Sequence, residues 1–177
     1  MDHGFETVKP ERLHENPFQL IGQEWMLVTA GTLGAFNTMT ANWGGMGVLW
    51  NRPVTFVFVR PQRYTFQFMN RAETFTLSFF ERRYREALSF CGSHSGRAVD
   101  KMAATGLTPI AVEPDAVTFQ QARLVFVCRK LYAQDLEGDA FTVPEVAADI
   151  YPSHDYHRLF IGEVLSVLSA KRTTAVT

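Results

Sequence analysis

The sequence is short of cysteine. Cys91 and Cys128 are the only two in 177 residues, and no CxxC occurs. That excludes a disulfide framework and a zinc knuckle, and two thiols suit a reducing compartment. Charge of one sign is also missing, with 17 Lys+Arg against 18 Asp+Glu and a formal net charge of −1. Broad binding to nucleic acid or to an anionic membrane needs a basic excess. Neither partner is expected, although a local basic pocket for one small anion stays open. No apolar run approaches the roughly 18 residues of a membrane span. The opening MDHGFETVKPERLHENPF has no apolar secretion segment. The expectation is a soluble cytoplasmic protein. GxSxG, HExxH and GxGxxG are absent, so hydrolase and Rossmann chemistry have no support.

What is abundant is apolar and aromatic. Hydrophobic residues make up 46% and aromatics 13%, with 15 Phe. The length fits one domain, residues 1–177, with 1–18 as a polar N-terminal arm. Residues 25–30, 36–42, 54–59, 74–80, 124–132 and 159–168 read as strands from their β-branched and aromatic content. VTFVFV (54–59) is nearly continuous and predicts a strand buried on both faces. Gly162 inside the last strand predicts a bulge or a close backbone approach. Two helices are expected. One carries Tyr84, Ala87, Leu88 and Cys91 on one face; the other is capped by Ser95, striped by Val99, Met102 and Ala103, and ended by Gly106. A short helical turn fits 64–70. Strands with inserted helices and no βαβ rhythm predict a mainly β, antiparallel barrel or sandwich.

Four segments carry candidate chemistry. Asn37-Thr38-Met39-Thr40, followed by Trp43, offers amide, hydroxyl and indole groups to a planar polar ligand; it also reads as an ordinary half-exposed strand. Trp43 and Trp50 flank the glycine-rich GGMGVL, which a loop explains equally well. Arg60, Arg63, Tyr64 and Thr65 gather two guanidinium groups and two hydroxyls, a set suited to phosphate or to a solvated turn. Ser95, Gly96 and Arg97, with Lys101 one turn on, suit an anion at a helix N-terminus. Asp155, Tyr156 and His157 precede the last strand. His154 and His157, at i and i+3, share a face only on a helix, whereas this segment reads as extended and no Cys or third His lies nearby, so no metal is expected. His157 is a candidate polar group lining a pocket. Glu163 reads as a paired carboxylate within its strand, and Cys91 as a packed thiol.

In this order, FNTMTANWGGMGVLWNRPV, FVRPQRYTFQF, ALSFCGSHSGRAVDK and YPSHDYHRLFIGEV resemble the flavin reductase-like family, near its flavoredoxin branch. The resemblance runs from about Asn16 to Val167. It implies an antiparallel Greek-key split β-barrel of the FMN-binding type, assembled as a homodimer. It implies FMN as cofactor, with NAD(P)H as electron donor and a flavin or a redox partner protein as acceptor. A non-enzymatic electron carrier or redox sensor is the alternative. By resemblance, Asn37, Thr38, Met39 and Thr40 line the flavin ring. Arg60, Arg63, Tyr64, Thr65, Ser95, Gly96, Arg97 and Lys101 hold the phosphate. Trp43 and Trp50 border the exposed ring face. Asp155, Tyr156 and His157 stand where an electron partner approaches, with His157 the catalytic candidate. Ala98 replaces the Asp of the family's usual S-G-R-D-V-D-K, which removes the acid that would complete a capping box with Ser95.

Overall fold

Runs of β-branched and aromatic residues extend into strands because their branched side chains pack well on a pleated surface. The computed structural model describes residues 4–171. Its strands are β1 (Phe5–Val8), β2 (Met26–Thr32), β3 (Ala35–Ala41), β4 (Gly44–Leu49), β5 (Arg52–Val59), β6 (Thr74–Phe80), β7 (Pro109–Val112), β8 (Ala116–Phe119), β9 (Ala122–Asp135) and β10 (Arg158–Ala170). The main sheet runs β3-β2-β6-β9-β10-β5-β4, with β1 beside β10, and all its pairings are antiparallel. β3 and β4 are its two edges, joined directly by Asn42 and Trp43. The sheet is therefore open there, as in a split barrel. β7 and β8 form a separate hairpin.

Residue alternation builds two cores from one sheet. On β9, Leu124, Phe126 and Cys128 join a cluster with Met26, Val28, Phe75 and Phe160. Val125 and Val127 point the other way and join Leu27, Phe119, Leu88 and Cys91. Burial on both faces explains why such strands read as continuous apolar runs. The second face also carries buried hydroxyls, and each finds a partner. Thr29 pairs with Thr38 at 2.8 Å, Ser78 with Thr118 at 2.8 Å, and Thr76 donates to the Val117 carbonyl at 2.6 Å.

Several expectations change. Of the arm expected at 1–18, residues 1–3 lie outside the described residues, and the rest is not a simple polar arm, because β1 pairs with the end of β10, Val8 opposite Val167. GGMGVL is a strand, not a loop. It is tied to β5 by a tight turn in which Trp50 and Asn51 both have positive φ, 51° and 56°. That is the turn geometry that matches hairpin twist. Within β5, Thr55, Val57 and Val59 on one face are all buried, whereas on the other Val54 is buried but Phe56 and Phe58 only partly, so one face alone is fully covered.

The helices are α1 (Pro17–Gln19), which runs into a π turn at Leu20–Glu24, α2 (Tyr64–Arg71), α3 (Arg85–Ser93), α4 (Lys101–Thr105) and α5 (Pro144–Ile150). α4 starts later than the spacing predicts. Asp100, not Ser95, is its N-cap, accepting from the Met102 and Ala103 backbone N–H groups at 2.9 and 3.1 Å. Residues 95–99 form turns, so Ala98 lies outside any capping box. Asp100 takes the role because its short carboxylate reaches two free N–H groups at once.

Gly162 sits at a register shift in β10, facing the Phe75 ring. A Cβ there would come within 2.4 Å of that ring and 2.9 Å of Cys128 Cβ. Gly162→Ala is expected to destabilise the protein by about 1–3 kcal/mol, the usual cost of overpacking. Denaturant unfolding checks this; an unchanged midpoint would contradict the packing described.

Candidate functional site

Two adjoining cavities lie beside β3. The first, of about 180 Å³, is lined by Asn37 from β3, by Gln62, Arg63, Tyr64 and Thr65 at the start of α2, by residues 93–96 and by Lys101. The second, of about 190 Å³, is lined by residues 39–43, Phe58, Arg60, Arg63 and His157. Arg63 lines both. The two cation-bearing segments, thirty residues apart in sequence, thus face each other across one space.

The end of α3 organises the first cavity. Arg63 Nη1 donates to the Gly92 carbonyl at 2.7 Å. Lys101 Nζ donates to the Cys91 carbonyl at 2.9 Å and to the Thr38 carbonyl at 2.7 Å. The last carbonyls of a helix lack intrahelical partners and carry the negative end of its dipole, so cations settle there. Burial pushes the Lys101 ammonium down to about 8, with Arg63 adding to the fall and Cys91 opposing it. Burial also lowers Arg63. No Asp or Glu is among the described residues lining this cavity. Two desolvated cations without a carboxylate make a site complementary to an anion.

The opposite wall is backbone and amide. Asn37 Nδ2 donates to Thr65 Oγ1 at 2.7 Å, which ties β3 to α2. Gly96 packs so closely that a Cβ would come within 2.1 Å of Asn37 Oδ1. Arg97 is outside the residues that line this cavity; its guanidinium lies 4.6 Å from the ring centre of Tyr64, which does line it, and donates to the Gln62 carbonyl at 3.4 Å. The Ser95 hydroxyl accepts from the Arg97 backbone N–H at 3.3 Å.

In the second cavity, Met39, Thr40 and Trp43 form one wall. Thr40 Oγ1 donates to the Leu88 carbonyl, fixing β3 to α3. The Trp43 and His157 rings lie 5.2 Å apart. His157 Nδ1 pairs with the Tyr151 hydroxyl at 2.8 Å. Burial lowers the His157 pKa to about 4, Arg60 lowers it further and Asp155 opposes them. The imidazole is therefore neutral at pH 7.

Of the expected site residues, Thr38, Arg60, Trp50, Tyr156 and Asp155 lie elsewhere or are occupied. Thr38 presents only its carbonyl to Lys101, because its hydroxyl is turned toward Thr29. Arg60 is away from the anion cavity. It pairs with Asp155 at 2.6 Å, donates to the Ile150 carbonyl at 2.8 Å and lies over the Tyr151 ring. Trp50 is at the far end of β4 from Trp43, about 23 Å away along an extended strand, and it packs on Tyr132. Tyr156 turns into an aromatic group with Phe141 and Tyr151. Asp155 joins Arg60 and Gln62 instead of lining either cavity. Glu163 pairs with Arg52 and Arg129, which lower its pKa. Cys91 is fully buried, and burial raises its thiol pKa. Among the described residues no group of three His, Cys, Asp or Glu could hold a metal, and no helix is long and apolar enough to cross a membrane.

Gln62, His94, Phe58 and Tyr151 were not singled out in the sequence. Gln62 had a readable signal, lying between the two arginines of RPQRYT. Tyr151 had none, since only the fold brings it to His157.

A histidine held neutral to about 4 gives a definite stability profile. The unfolded chain takes up this proton below about 6.5, whereas the folded chain resists it until about 4. Stability is accordingly lost as pH falls from 6.5 to 4. His157→Gln is expected to flatten that part of the pH–stability curve. An equally steep curve in the variant would contradict the buried neutral imidazole.

The model of the flavin reductase like domain matches residues 18–175. The fold is similar to that of an FMN-binding domain of a flavin reductases-like enzyme from Shewanella baltica, at 16% identity and TM-score 0.67, over 94% of this chain and 77% of that one. Flavoredoxin of Desulfovibrio vulgaris (Miyazaki F) is 22% identical with TM-score 0.65, again over 94% and 77%. An NADH:FAD oxidoreductase from Streptomyces globisporus, solved with NAD and FAD fragments, is 20% identical with TM-score 0.62, over 82% and 74%. No curated protein matches. At these identities the structural likeness speaks for the fold, while the domain match spans most of the sequence, and the chain belongs to the flavin reductase-like family.

Proposed function

We propose that this protein is an FMN-dependent oxidoreductase that takes electrons from NAD(P)H and passes them to a flavin or protein acceptor. One observation carries the reading: a cavity holding Arg63 and Lys101 without a carboxylate shares Arg63 with a second cavity walled by β3, Trp43 and His157. A flavin mononucleotide has the matching shape, a phosphate of nearly two negative charges on a tether to a flat ring. FMN-binding relatives of the same fold support it.

Arg63, Lys101 and, from outside the cavity lining, Arg97 would hold the phosphate, with Ser95 and Thr65 as hydroxyl partners. Gly96 lets the Asn37 amide and the Tyr64 ring pack where a side chain would clash. Met39, Thr40, Trp43 and His157 would border the ring. The flavin supplies the redox chemistry when bound, and the chain supplies binding, orientation and electrostatics. No protein nucleophile is required.

Arg63→Ala is expected to weaken FMN by about 10–100-fold, the value of a lost charge-assisted hydrogen bond, and to leave riboflavin nearly unchanged. Arg97→Ala should do the same more weakly, being exposed. Arg60→Ala should affect the two ligands equally, because Arg60 faces the ring cavity. Fluorescence titration of both ligands reads the ratio; equal losses for Arg63→Ala would refute the phosphate site.

The chain exposes Val48, Trp50 and Tyr132, which favours a homodimer. A monomer by sedimentation of that titrated protein would overturn this part. An enzyme and a carrier would share the same cavity. Mixing the flavin-loaded protein with NADH or NADPH separates them: rapid bleaching of the flavin absorbance is expected, and no bleaching with either nucleotide would leave a carrier reduced by a partner protein.

A further inference from the structure

We propose that Tyr151 is a positioning residue that fixes His157 in one tautomer, with its proton on Nε2, so that the imidazole donates a hydrogen bond into the ring cavity. The role for the bound ring rests on the flavin reading above; the tautomer does not.

The argument starts from a buried phenol. Tyr151 is 5% exposed, so its hydroxyl hydrogen needs an acceptor inside the protein. His157 Nδ1, at 2.8 Å, is the acceptor within reach. Among the described residues no other hydrogen bond reaches this hydroxyl, so an imidazole protonated at Nδ1 would leave the phenol hydrogen without an acceptor. The phenol hydrogen therefore goes to Nδ1. A neutral imidazole that accepts at Nδ1 carries its own proton at Nε2.

Nε2 has no partner within the described chain, yet it is not among the buried unpartnered atoms. His157 is only 8% exposed, and the ring cavity that it lines is the outlet for this nitrogen. An N–H aimed there, beside Trp43, suits a carbonyl oxygen or ring nitrogen of a flat polar ligand. A protonated imidazole would donate as well but is disfavoured by burial and by the Arg60 guanidinium.

Arg60 completes the device. It lies 5.2 Å from the Tyr151 ring centre and binds both the Ile150 carbonyl and Asp155. Gln62 Nε2 also reaches Asp155, at 2.6 Å. These contacts pin the segment from 150 to 155 against the loop after β5. Tyr151 cannot then swing away from His157. An arginine that the sequence suggests for the phosphate instead holds the residue that orients the imidazole.

The test is imidazole ¹⁵N spectroscopy of the labelled full chain, flavin-stripped and flavin-loaded, with FMN and riboflavin titrations. Wild type is expected to show the Nε2–H tautomer in both forms. Tyr151→Phe keeps the ring packing but removes the hydroxyl, and should give mixed tautomers and a 2–10-fold loss for both ligands, the range of about one neutral hydrogen bond. His157→Gln places an amide N–H near the Nε2 position and should retain affinity. His157→Asn places it near Nδ1 and should lose affinity like Tyr151→Phe. An Nδ1–H tautomer in wild type, or an unchanged tautomer in Tyr151→Phe, overturns the proposal. An Nε2–H tautomer in a protein that binds no flavin overturns the flavin reading and the ring-facing role together, while the Tyr151 assignment stands.

Discussion

Burying a cation without a counter-charge is costly, and this protein does it twice in one place. Arg63 and Lys101 are held by backbone carbonyls at the end of α3 and on β3. The carbonyl dipoles offset part of the desolvation, but they carry no full negative charge. Burial lowers the Lys101 pKa, the sign of a desolvation that the carbonyls do not fully offset. That residual cost is the reason to expect an anion, since a bound dianion would relieve it. The same bonds hold β3, α3 and the start of α2 together, so the cradle and the local fold depend on one set of contacts.

The second cavity is built on different terms. Apart from Arg63, which it shares with the first, its polar groups are neutral or paired. Arg60 is matched by Asp155, and His157 is kept uncharged by burial and by Arg60. A site that is cationic at one end and neutral at the other suits a ligand whose charge is all in its tail. It also separates tasks: affinity at the phosphate end, orientation at the ring end. The Tyr151 and Arg60 contacts belong to the second task.

Much of the fold was legible. The strands at 74–80 and 124–132 announced themselves by their β-branched and aromatic residues, and within them 75–80 and 124–128 are buried on both faces. Gly162 announced a close approach, and the Phe75 ring is there. The β4 strand was not legible, because glycine is depleted in strands and GGMGVL shows no β-propensity; its pairing with β5 and the turn at Trp50 and Asn51 override that. The start of α4 misled for a related reason. Ser95 and Asp100 are both good caps, and only the turn at 95–99 selects between them.

The sequence alone determined the strand-rich class, because strand identity is written in local composition and alternation. It also placed hydroxyls and guanidinium groups in two short segments, since those are properties of neighbouring residues. Only the tertiary structure decided which arginine faces the anion cavity. Arg60 and Arg63 lie three residues apart, and the turn into α2 sends one guanidinium toward Asp155 and the other toward Gly92. It alone put Trp50 far from Trp43 and brought Tyr151 against His157. Contacts between distant segments follow from how the sheet curls and closes, and a linear pattern carries no record of that.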